Sequence, residues 1–292
     1  MNVRPATRED AAAFAELFGS VEEAVLGRPS SLDEQMVYSW WGTVVLETNT
    51  WLFEDDGTLV AGAFAEISES RGVAAGAVRP SAQGRGLGTR LLELVEERLT
   101  EQGAERILSF TVAGDEPASE LLERHGYREV RRFWDMGIDV DEDPTESTVA
   151  IETFREEDAR AFHAANEEAF EDHWEPHPTA FEDWWGRQLG RTNYDPSLWF
   201  LIRDGDEVVA IARNEMRETG GYVGSLGVRR AWRGRGYGRA LLLHSFAEFR
   251  RRGATRATLG VDASNPTGAT RLYESVGMRV EMEAIAWEKR LA

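Results

Sequence analysis

Two glycine-rich segments in this chain have the residue types and spacing of a phosphate-binding loop. Residues 78–88 read Val-Arg-Pro-Ser-Ala-Gln-Gly-Arg-Gly-Leu-Gly, and residues 228–238 read Val-Arg-Arg-Ala-Trp-Arg-Gly-Arg-Gly-Tyr-Gly. Each follows an extended apolar run and precedes an amphipathic helix pattern. The backbone N–H groups at such a helix N-terminus have no intrahelical partner and can converge on one anion, which glycine allows to approach closely. Both loops therefore predict a phosphate site, with Arg85 and Arg235 adding positive charge.

The candidate phosphate-binding residues are the loop positions themselves. They are Gln83, Gly84, Arg85, Gly86, Leu87 and Gly88 in the first loop, and Arg233, Gly234, Arg235, Gly236, Tyr237 and Gly238 in the second. Neither loop ends in Gly-Lys-Ser/Thr, and the last glycine of a dinucleotide-binding loop is replaced by Thr89 or Arg239. These departures exclude a P-loop nucleotide hydrolase and a dinucleotide-dependent enzyme. A glycine turn that serves packing alone is the alternative for one copy, and the repetition argues against it.

The similarity between the two halves extends beyond the loops. Each half has an early amphipathic helix pattern, an Asp-Gly hairpin turn at 56–57 or 204–205, a strand before the loop, a helix after it, and a further strand. Each then has a short helix that ends at a glycine in the left-handed cap position. The acidic segment between the halves contains Pro144 and lacks an apolar period. The chain is therefore predicted to form two tandem α/β domains, 1–140 and 149–292, joined by a linker at 141–148.

Composition and charge narrow the classes of function. The chain has 292 residues, of which 42% are apolar and 29% charged, as expected for a globular protein with two cores. With 33 Lys plus Arg against 52 Asp plus Glu, its net charge of -19 disfavours nucleic acid and anionic membranes as partners. The absence of cysteine excludes disulfides, thiolate metal sites and a cysteine nucleophile. Residues 1–10 are polar and no apolar run has membrane-spanning length, so we expect a cytoplasmic protein.

Both loops resemble the coenzyme loop of the GNAT superfamily of acyl-CoA-dependent N-acetyltransferases, which reads Gln/Arg-x-x-Gly-x-Gly/Ala between a strand and a helix. Residues 83–88 and 233–238 match this pattern. The resemblance covers nearly the whole chain. The two successive halves resemble the tandem domains of mycothiol synthase and related actinobacterial acetyltransferases. It implies an α/β fold (α+β, with a mixed sheet) in which two tandem GNAT-like domains each have a central mixed β-sheet flanked by helices. It also implies that acetyl-CoA is the co-substrate.

In this superfamily the strand before the loop separates from its neighbour, and its backbone groups bind the pantetheine arm and the thioester carbonyl. The residues that the resemblance assigns to this role are Leu226, Gly227 and Val228 in the second half, and Ala77 and Val78 in the first. Backbone N–H groups directed at that carbonyl stabilise the oxyanion of a tetrahedral intermediate. No side chain is needed for this contribution.

The superfamily also places a tyrosine on the short penultimate helix, where it protonates the departing thiolate. Residues 265–278 resemble that segment, which implies that Tyr273 is the acid and that Asn265 bonds to the pantetheine arm. A tyrosine with a pKa near 10 can protonate the thiolate of a thiol with a pKa of about 8.5. The alternatives are a packed aromatic for Tyr273 and a helix N-cap for Asn265. The matching positions in the first half hold Leu122 and Gly114, so we expect the N-terminal domain to be catalytically silent.

An acceptor amine, with a pKa of about 10, must lose a proton before it attacks, so a general base is expected. Glu215 is the candidate, because it lies on a strand that should border the cleft. A solvated carboxylate at the strand end is an equal alternative. At the start of the motif strand, where mycothiol synthase has a base, this sequence has Tyr222.

The segment 170–178 follows the first helix of the second half, where the superfamily usually forms its acceptor pocket. Glu171, His173 and Trp174 are the candidate substrate contacts, and a solvated acidic loop is the alternative. His173 and His177 have the i, i+4 spacing of metal ligands, but the prolines around His177 break the helix that this spacing requires. No metal site is therefore predicted.

Taken together, these residues predict an acyltransferase that moves an acetyl group directly from acetyl-CoA to the amine of a small molecule, with the C-terminal domain as the catalytic one. Two alternatives remain: an acyl-CoA-binding sensor or scaffold without turnover, and a protein or peptide N-acetyltransferase. No nucleic acid and no membrane is an expected partner.

Overall fold

A computed structural model describes residues 1–140, 149–176, 178–191 and 193–291. These residues form two compact units, Met1–Phe133 together with Met282–Ala292, and Trp134–Glu281. The predicted linker at 141–148 lies outside the described residues. Within the described ranges, no helix has both the length and the apolar character needed to cross a membrane.

The first unit has a mixed β-sheet that is flanked by helices. Its helices are α1 (Ala11–Leu26), α2 (Glu34–Trp40), α3 (Leu46–Asn49), α4 (Leu87–Glu101) and α5 (Glu116–Arg124). Its strands are β1 (Asn2–Arg4), β2 (Thr50–Asp55), β3 (Thr58–Ser68), β4 (Arg71–Val78), β5 (Arg106–Val112) and the first part of β6 (Arg128–Asp139). Strands β1 to β4 pair antiparallel in chain order, whereas β4 and β5 are parallel.

The second unit repeats this plan. Its helices are α6 (Ala159–Phe170), α7 (Phe181–Leu189), α8 (Tyr237–Arg251) and α9 (Ala269–Ser275). Its strands are β7 (Glu152–Thr153), β8 (Trp199–Asp204), β9 (Glu207–Arg217), β10 (Gly220–Val228), β11 (Arg256–Asp262) and the first part of β12 (Arg279–Arg290). Strands β7 to β10 pair antiparallel and β10 pairs parallel with β11. The predicted fold class, two tandem units with mixed sheets flanked by helices, is confirmed.

The apolar periods in the sequence form the inner faces of these elements. The buried positions of α4 lie on one face of the helix, and they are Leu87, Leu91, Leu92, Val95 and Leu99. They pack against small residues of β3 and β4 such as Ala63 and Ala74. At the first hairpin, Asp56 and Gly57 have φ of 49° and 77°, which is the left-handed backbone that a two-residue turn between right-twisted strands requires.

The last strand of each unit comes from the other half of the sequence. Residues 284–290 of β12 pair antiparallel with β5, and Ile285 and Trp287 enter the first core. Residues 134–139 of β6 lie next to β11, and Met136 is fully buried in the second core. The predicted division at 1–140 and 149–292 kept both strands in their own halves and therefore differs from the structure here. Strands β6 and β12 have similar apolar alternation. The sequence pattern therefore does not show which of the two sheets each strand joins.

The exchange of strands predicts that a substitution near the C-terminus destabilises the first unit. Trp287 is 3% exposed, and its Nε1 donates to Thr111 Oγ1 at 2.9 Å. Trp287→Ala leaves a cavity and should lower the free energy of unfolding by about 3–5 kcal/mol. Urea unfolding measures the loss, and hydrogen exchange should report weaker protection in β5.

Arg290→Ala on the same strand is the matched control. Its side chain is 87% exposed, so we expect a change within about 0.5 kcal/mol. If Trp287→Ala instead weakens protection only in β11, the assignment of this strand to the first unit is wrong.

Candidate functional site

A cavity opens in the second unit where two parallel strands separate. Strands β10 and β11 pair only at Gly221–Ala257 and Tyr222–Thr258, so residues 223–228 of β10 part from β11. A cavity of about 310 Å³ occupies the gap, lined by β10, β11, the glycine loop and α9. Backbone groups on this edge of β10 have no partner in β11 and are available to a ligand. The predicted residues Leu226, Gly227 and Val228 all line the cavity.

The first unit has a matching cavity. Strands β4 and β5 pair from Arg71–Arg106 to Ala74–Ser109 and then separate. The gap holds a cavity of about 470 Å³, which Val78 and the loop glycines line. Both predicted loops therefore border a cavity between separated strands. Leu122 lies in the wall of this cavity, at the position that matches Tyr273.

The first two glycines of each loop have a backbone conformation that other residues rarely adopt. They are Gly84, Gly86, Gly234 and Gly236, with φ of 74°, 78°, 78° and 82°. Apart from the glycine and its two chain neighbours, no described atom would lie within 4 Å of a Cβ at any of these positions, so steric crowding does not explain the glycines. The reason is the left-handed turn that leads into α4 and α8, whose first N–H groups have no side-chain cap.

The third glycine of each loop has a different role. A Cβ on Gly88 would lie 3.0 Å from Leu121 Cδ2, and a Cβ on Gly238 would lie 3.1 Å from Leu272 Cδ2. These glycines allow the start of the loop helix to pack closely against the short helix, α5 or α9. The short helix is thereby held beside the loop.

The arginines of the loops are engaged by protein groups. Arg233 lines the cavity, but Nη1 donates to Asp172 Oδ2 at 2.8 Å and Nη2 to Ala169 O at 3.1 Å, which fastens the end of α6 to the loop. The structure thus gives Arg233 a structural contact that the sequence analysis did not predict. Arg85 lies 2.8 Å from Asp55 and Arg235 lies 3.7 Å from Asp204. These last two pairs are solvent-exposed and therefore weak, so a phosphate can replace either carboxylate.

Tyr273 lies on α9 with its side chain in the cavity wall. It is 7% exposed, and its hydroxyl makes no hydrogen bond to any described residue. Burial, and to a smaller degree the neighbouring Tyr222, raises the pKa of Tyr273 to about 12. The phenol is therefore fully protonated at neutral pH and has a proton to donate into the cavity.

Asn265 also lines the cavity, but it does not cap α9 as one alternative supposed. Its Oδ1 accepts hydrogen bonds from the backbone N and the hydroxyl of Thr267, at 2.8 and 2.5 Å. Helix α9 begins at Ala269, with Gly268 as its N-cap. The side-chain amide nitrogen of Asn265, Nδ2, donates to no described residue, which leaves it available to a ligand.

Glu215 does not occupy the position expected of a general base. It is 3% exposed and does not line the cavity. Its Oε1 accepts from Arg217 Nε at 2.8 Å, and its Oε2 accepts from Arg191 Nη2. Burial alone would raise the pKa of Glu215, but the guanidiniums of Arg217 and Arg191 outweigh burial and hold it below its ordinary value. A carboxylate with both oxygens occupied and a lowered pKa is a weak proton acceptor.

The predicted substrate contacts are only partly brought together. His173 lines the cavity, and its ring packs edge-on against Phe170 with 4.5 Å between centroids. Glu171 is exposed and lies 3.8 Å from Arg230, and Trp174 is half-buried and does not line the cavity. His177 lies outside the described residues.

Sequence analysis missed the arginines that surround Glu215. Arg213, Glu215 and Arg217 are alternate residues of β9, so their side chains share one face of the sheet. Arg191 reaches the same carboxylate from the segment after α7. The alternation of charged residues in β9 could have indicated that Arg213, Glu215 and Arg217 lie together. No sequence feature near β9 indicated that Arg191 joins them.

Comparisons with known proteins agree with this architecture. The model of the acetyltransferase (GNAT) family matches residues 14–127 and again residues 153–278. The chain belongs to this family. As a GNAT protein it is an acyltransferase, as predicted, and the family uses acetyl-CoA.

This GNAT chain is similar to curated actinobacterial proteins. It is 32% identical over 251 residues to the mycothiol acetyltransferase of Geodermatophilus obscurus, covering 80% of each chain. It is 33% identical over 213 residues to that of Beutenbergia cavernae, covering 67% of this chain and 69% of the relative.

Solved structures give the same result for the fold. A GCN5-related N-acetyltransferase from Sphaerobacter thermophilus has a TM-score of 0.86 at 32% identity, with 99% of this chain and 95% of that chain covered. A tandem GNAT protein from the clavulanic acid biosynthesis pathway has a TM-score of 0.73 at 14% identity, over 99% and 98% of the two chains, and therefore supports the fold alone.

Replacing the carboxylate of Glu215 distinguishes an ion-pair role from a catalytic one. Glu215→Gln leaves Arg191, Arg213 and Arg217 close together without their shared anion. We expect the free energy of unfolding to fall by about 2–4 kcal/mol, measured by urea denaturation.

Glu66→Gln, at the matching position of β3, is the control. Glu66 accepts one hydrogen bond from Thr43, so we expect a loss below about 1 kcal/mol. A Glu215→Gln protein of unchanged stability whose activity is lost at neutral pH and recovered at high pH would identify Glu215 as a base after all.

Proposed function

We propose that the chain transfers an acetyl group from acetyl-CoA directly to the amine of a small molecule, and that Trp134–Glu281 is the catalytic unit. The observation that carries this proposal is Tyr273, a buried phenol in the cavity wall without a hydrogen-bond partner among the described residues. The corresponding cavity of the first unit has Leu122 instead. A proton donor is therefore available in the second cavity and missing from the matching position in the first.

The chemistry of acetyl-CoA fits the groups that line the second cavity. The N–H groups of the loop around Gly234 and Gly236 suit its pyrophosphate, because the left-handed turn leads into α8, whose first N–H groups have no side-chain cap. The unpaired edge of β10 at 226–228 suits the amides of the pantetheine arm, and the free amide nitrogen of Asn265 adds a donor. Tyr273 is then the group near the thioester end.

In the proposed reaction the acceptor nitrogen attacks the thioester carbonyl carbon, the C–S bond breaks, and the acetyl group becomes an amide. Backbone N–H groups of β10 stabilise the negative charge on the carbonyl oxygen. The thiolate takes a proton from Tyr273, which leaves a phenolate, and the proton released from nitrogen passes through solvent to the phenolate and restores the phenol. Burial raises the pKa of a thiol in this cavity as it raises that of Tyr273, so the two pKa values move in the same direction.

We infer that the first unit binds a coenzyme without turning it over. Its loop has the same left-handed glycines at Gly84 and Gly86, and its cavity is the larger of the two described. Tyr127 also lines that cavity, but it follows α5 instead of lying on it. Burial, with the carboxylate of Glu96, raises the pKa of Tyr127.

The relatives named mycothiol acetyltransferase support a small-molecule acceptor over a protein one. A direct test incubates the protein with acetyl-CoA and a panel of amines and follows free thiol with a chromogenic reagent. The chain has no cysteine and adds no background. Thiol release that depends on one class of small amine supports the proposal, whereas release with peptides alone indicates a peptide transferase. Calorimetric binding of acetyl-CoA without release from any amine or peptide favours the sensor.

The role of Tyr273 predicts a specific kinetic defect. Tyr273→Phe removes the proton donor and should lower kcat by about 10²–10⁴-fold, while the affinity for acetyl-CoA measured by calorimetry stays within about threefold. Because its pKa is about 12, the wild-type phenol stays protonated, so kcat should not fall between pH 7 and 10 through loss of this proton.

Tyr38→Phe is the control for loss of a phenol elsewhere. The Tyr38 hydroxyl is exposed and donates to Arg8 O at 3.3 Å, so its removal should leave kcat unchanged. Unchanged turnover in Tyr273→Phe would remove this residue from the mechanism.

The two loop glycines that precede α4 and α8 allow the units to be compared directly. Gly86→Ala and Gly236→Ala both place a side chain at φ near 80° in open space, so each should cost about 1–2 kcal/mol of stability. Only Gly236→Ala should raise the KM for acetyl-CoA, by about tenfold, because only the second unit reacts. Steady-state kinetics and urea unfolding measure both effects. An increase in KM in Gly86→Ala alone would reverse the assignment of the catalytic unit.

A further inference from the structure

Three arginines and one carboxylate lie together on one face of the second sheet. This arginine cluster consists of Arg191, Arg213, Glu215 and Arg217. Ile211, on the same face of β9, lies beside Gly227 together with Ala169 of α6, so the cluster is on the α6 side of the sheet. Asn214 points to the opposite face and donates to Ser245 of α8. The cluster contains two more positive charges than negative ones.

Arg213 is the member of this cluster that lacks a close partner. Both oxygens of Glu215 accept from Arg191 and Arg217, and Arg213 Nη1 remains 4.0 Å from Oε2. The guanidinium of Arg213 makes no hydrogen bond to any described residue, and 17% of its side chain is exposed. Burial, followed by repulsion from Arg191, lowers the pKa of its guanidinium to about 10, so it remains charged at neutral pH. A largely buried charge of this kind is stabilised by a bound anion.

The cluster adjoins the wall of the cavity that contains Tyr273. Arg213 lies opposite Ser225, at the bulge of β10, and its Nη2 would be 2.8 Å from a Cβ on Gly224. Gly224 and Ser225 line the cavity. A side chain at position 224 would displace the guanidinium, so the glycine keeps Arg213 against the cavity wall. Bulges of this kind are common beside active sites.

Tyr222 lies between the arginine cluster and the cavity that Tyr273 lines. The Arg217 guanidinium covers the Tyr222 ring at 3.4 Å from its centroid. The Tyr222 hydroxyl would be 3.6 Å from a Cβ on Gly260, another residue that lines the cavity. Asp135 of β6 contributes one carboxylate on this side, with Oδ1 3.4 Å from the same Cβ position. Tyr222 therefore lies between the arginine cluster and Gly260 of the cavity lining.

The first unit provides an internal comparison. Strands β3 and β9 are both 11 residues long, so Phe64, Glu66 and Ser68 occupy the positions of Arg213, Glu215 and Arg217. Glu66 accepts a hydrogen bond from Thr43, and β3 pairs with β4 in continuous register. The fold thus forms without the arginines or the bulge. Both features are specific to the unit that has Tyr273.

We propose that the acceptor carries an anionic group, a carboxylate or a phosphate, near its amine, and that Arg213 binds this group. The inference rests on the proposed transfer to a small-molecule amine and specifies the class of that molecule. Anion binding by a guanidinium fork holds the amine in one orientation towards the thioester. A polycationic amine is disfavoured, because its additional ammonium groups would approach three arginines.

Matched pairs of amines test this inference. The pairs are β-alanine with β-alaninamide, and 2-aminoethyl phosphate with ethanolamine, assayed by thiol release from acetyl-CoA. We expect kcat/KM to be at least tenfold higher for the anionic member of one pair, and the responding pair identifies the anion as carboxylate or phosphate. Arg213→Ala should bring that ratio close to one with the neutral member changed less than threefold. Arg213→Lys should keep part of the preference.

Arg251→Ala is the matched control, because this exposed arginine pairs with Glu248 and with no other residue that the structure describes. It should leave the ratio unchanged. Thermal unfolding and calorimetric binding of acetyl-CoA establish that each variant is folded, and Arg213→Gln replaces Arg213→Ala if the alanine variant is not. Equal rates for neutral and anionic amines in the wild type, or a preference that survives loss of Arg213, would overturn the inference while leaving the transferase intact.

A binding measurement separates this inference from the proposed function. With saturating coenzyme A, the same amine pairs are titrated calorimetrically into wild type and Arg213→Ala. Preferential binding of the anionic amine that Arg213→Ala abolishes supports the anion site, even if no amine is acetylated and the transferase proposal fails. Absence of any preference in this assay contradicts the anion site.

Discussion

The separation of two parallel strands is the constraint on which the rest of the structure depends. Hydrogen bonding between β10 and β11 ends at Tyr222–Thr258, and each residue beyond that point leaves a backbone edge unpaired. Unpaired buried backbone groups are costly, and antiparallel β9 pairs with the other edge of β10 from Gly220 to Val228 and supports it across the gap. The cavity, the approach of the glycine loop and the position of α9 all follow from this gap.

The two units use the same frame for different chemistry. Both have a cavity between separated strands and a loop with left-handed glycines. Only the second has a phenol on the short helix, a bulge in the central strand and arginines on the neighbouring strand. Since the cavity and the glycine loop are present in both units, these few side chains, and not the fold, account for the difference in proposed activity.

Much of the fold was predictable because its signals are local. The glycine loops, the hairpin at Asp56-Gly57 and the helix of Tyr273 are each encoded in a few adjacent residues, and the structure has all of them. The pairing of Arg191 with Glu215 and of Asp172 with Arg233 was not predictable, because Arg191 and Asp172 come from distant segments. Strand alternation showed that Asn214 and Glu215 face opposite sides of the sheet, but could not show that the carboxylate of Glu215 is already occupied.

The exchanged strands have a consequence for how the protein can be divided. A protease or a split gene that interrupts the chain between residues 140 and 149 separates each sheet from one of its own strands. The N-terminal fragment then lacks Trp287 and its neighbours, and the C-terminal fragment lacks Met136. Neither fragment has a complete core, so the two must fold together.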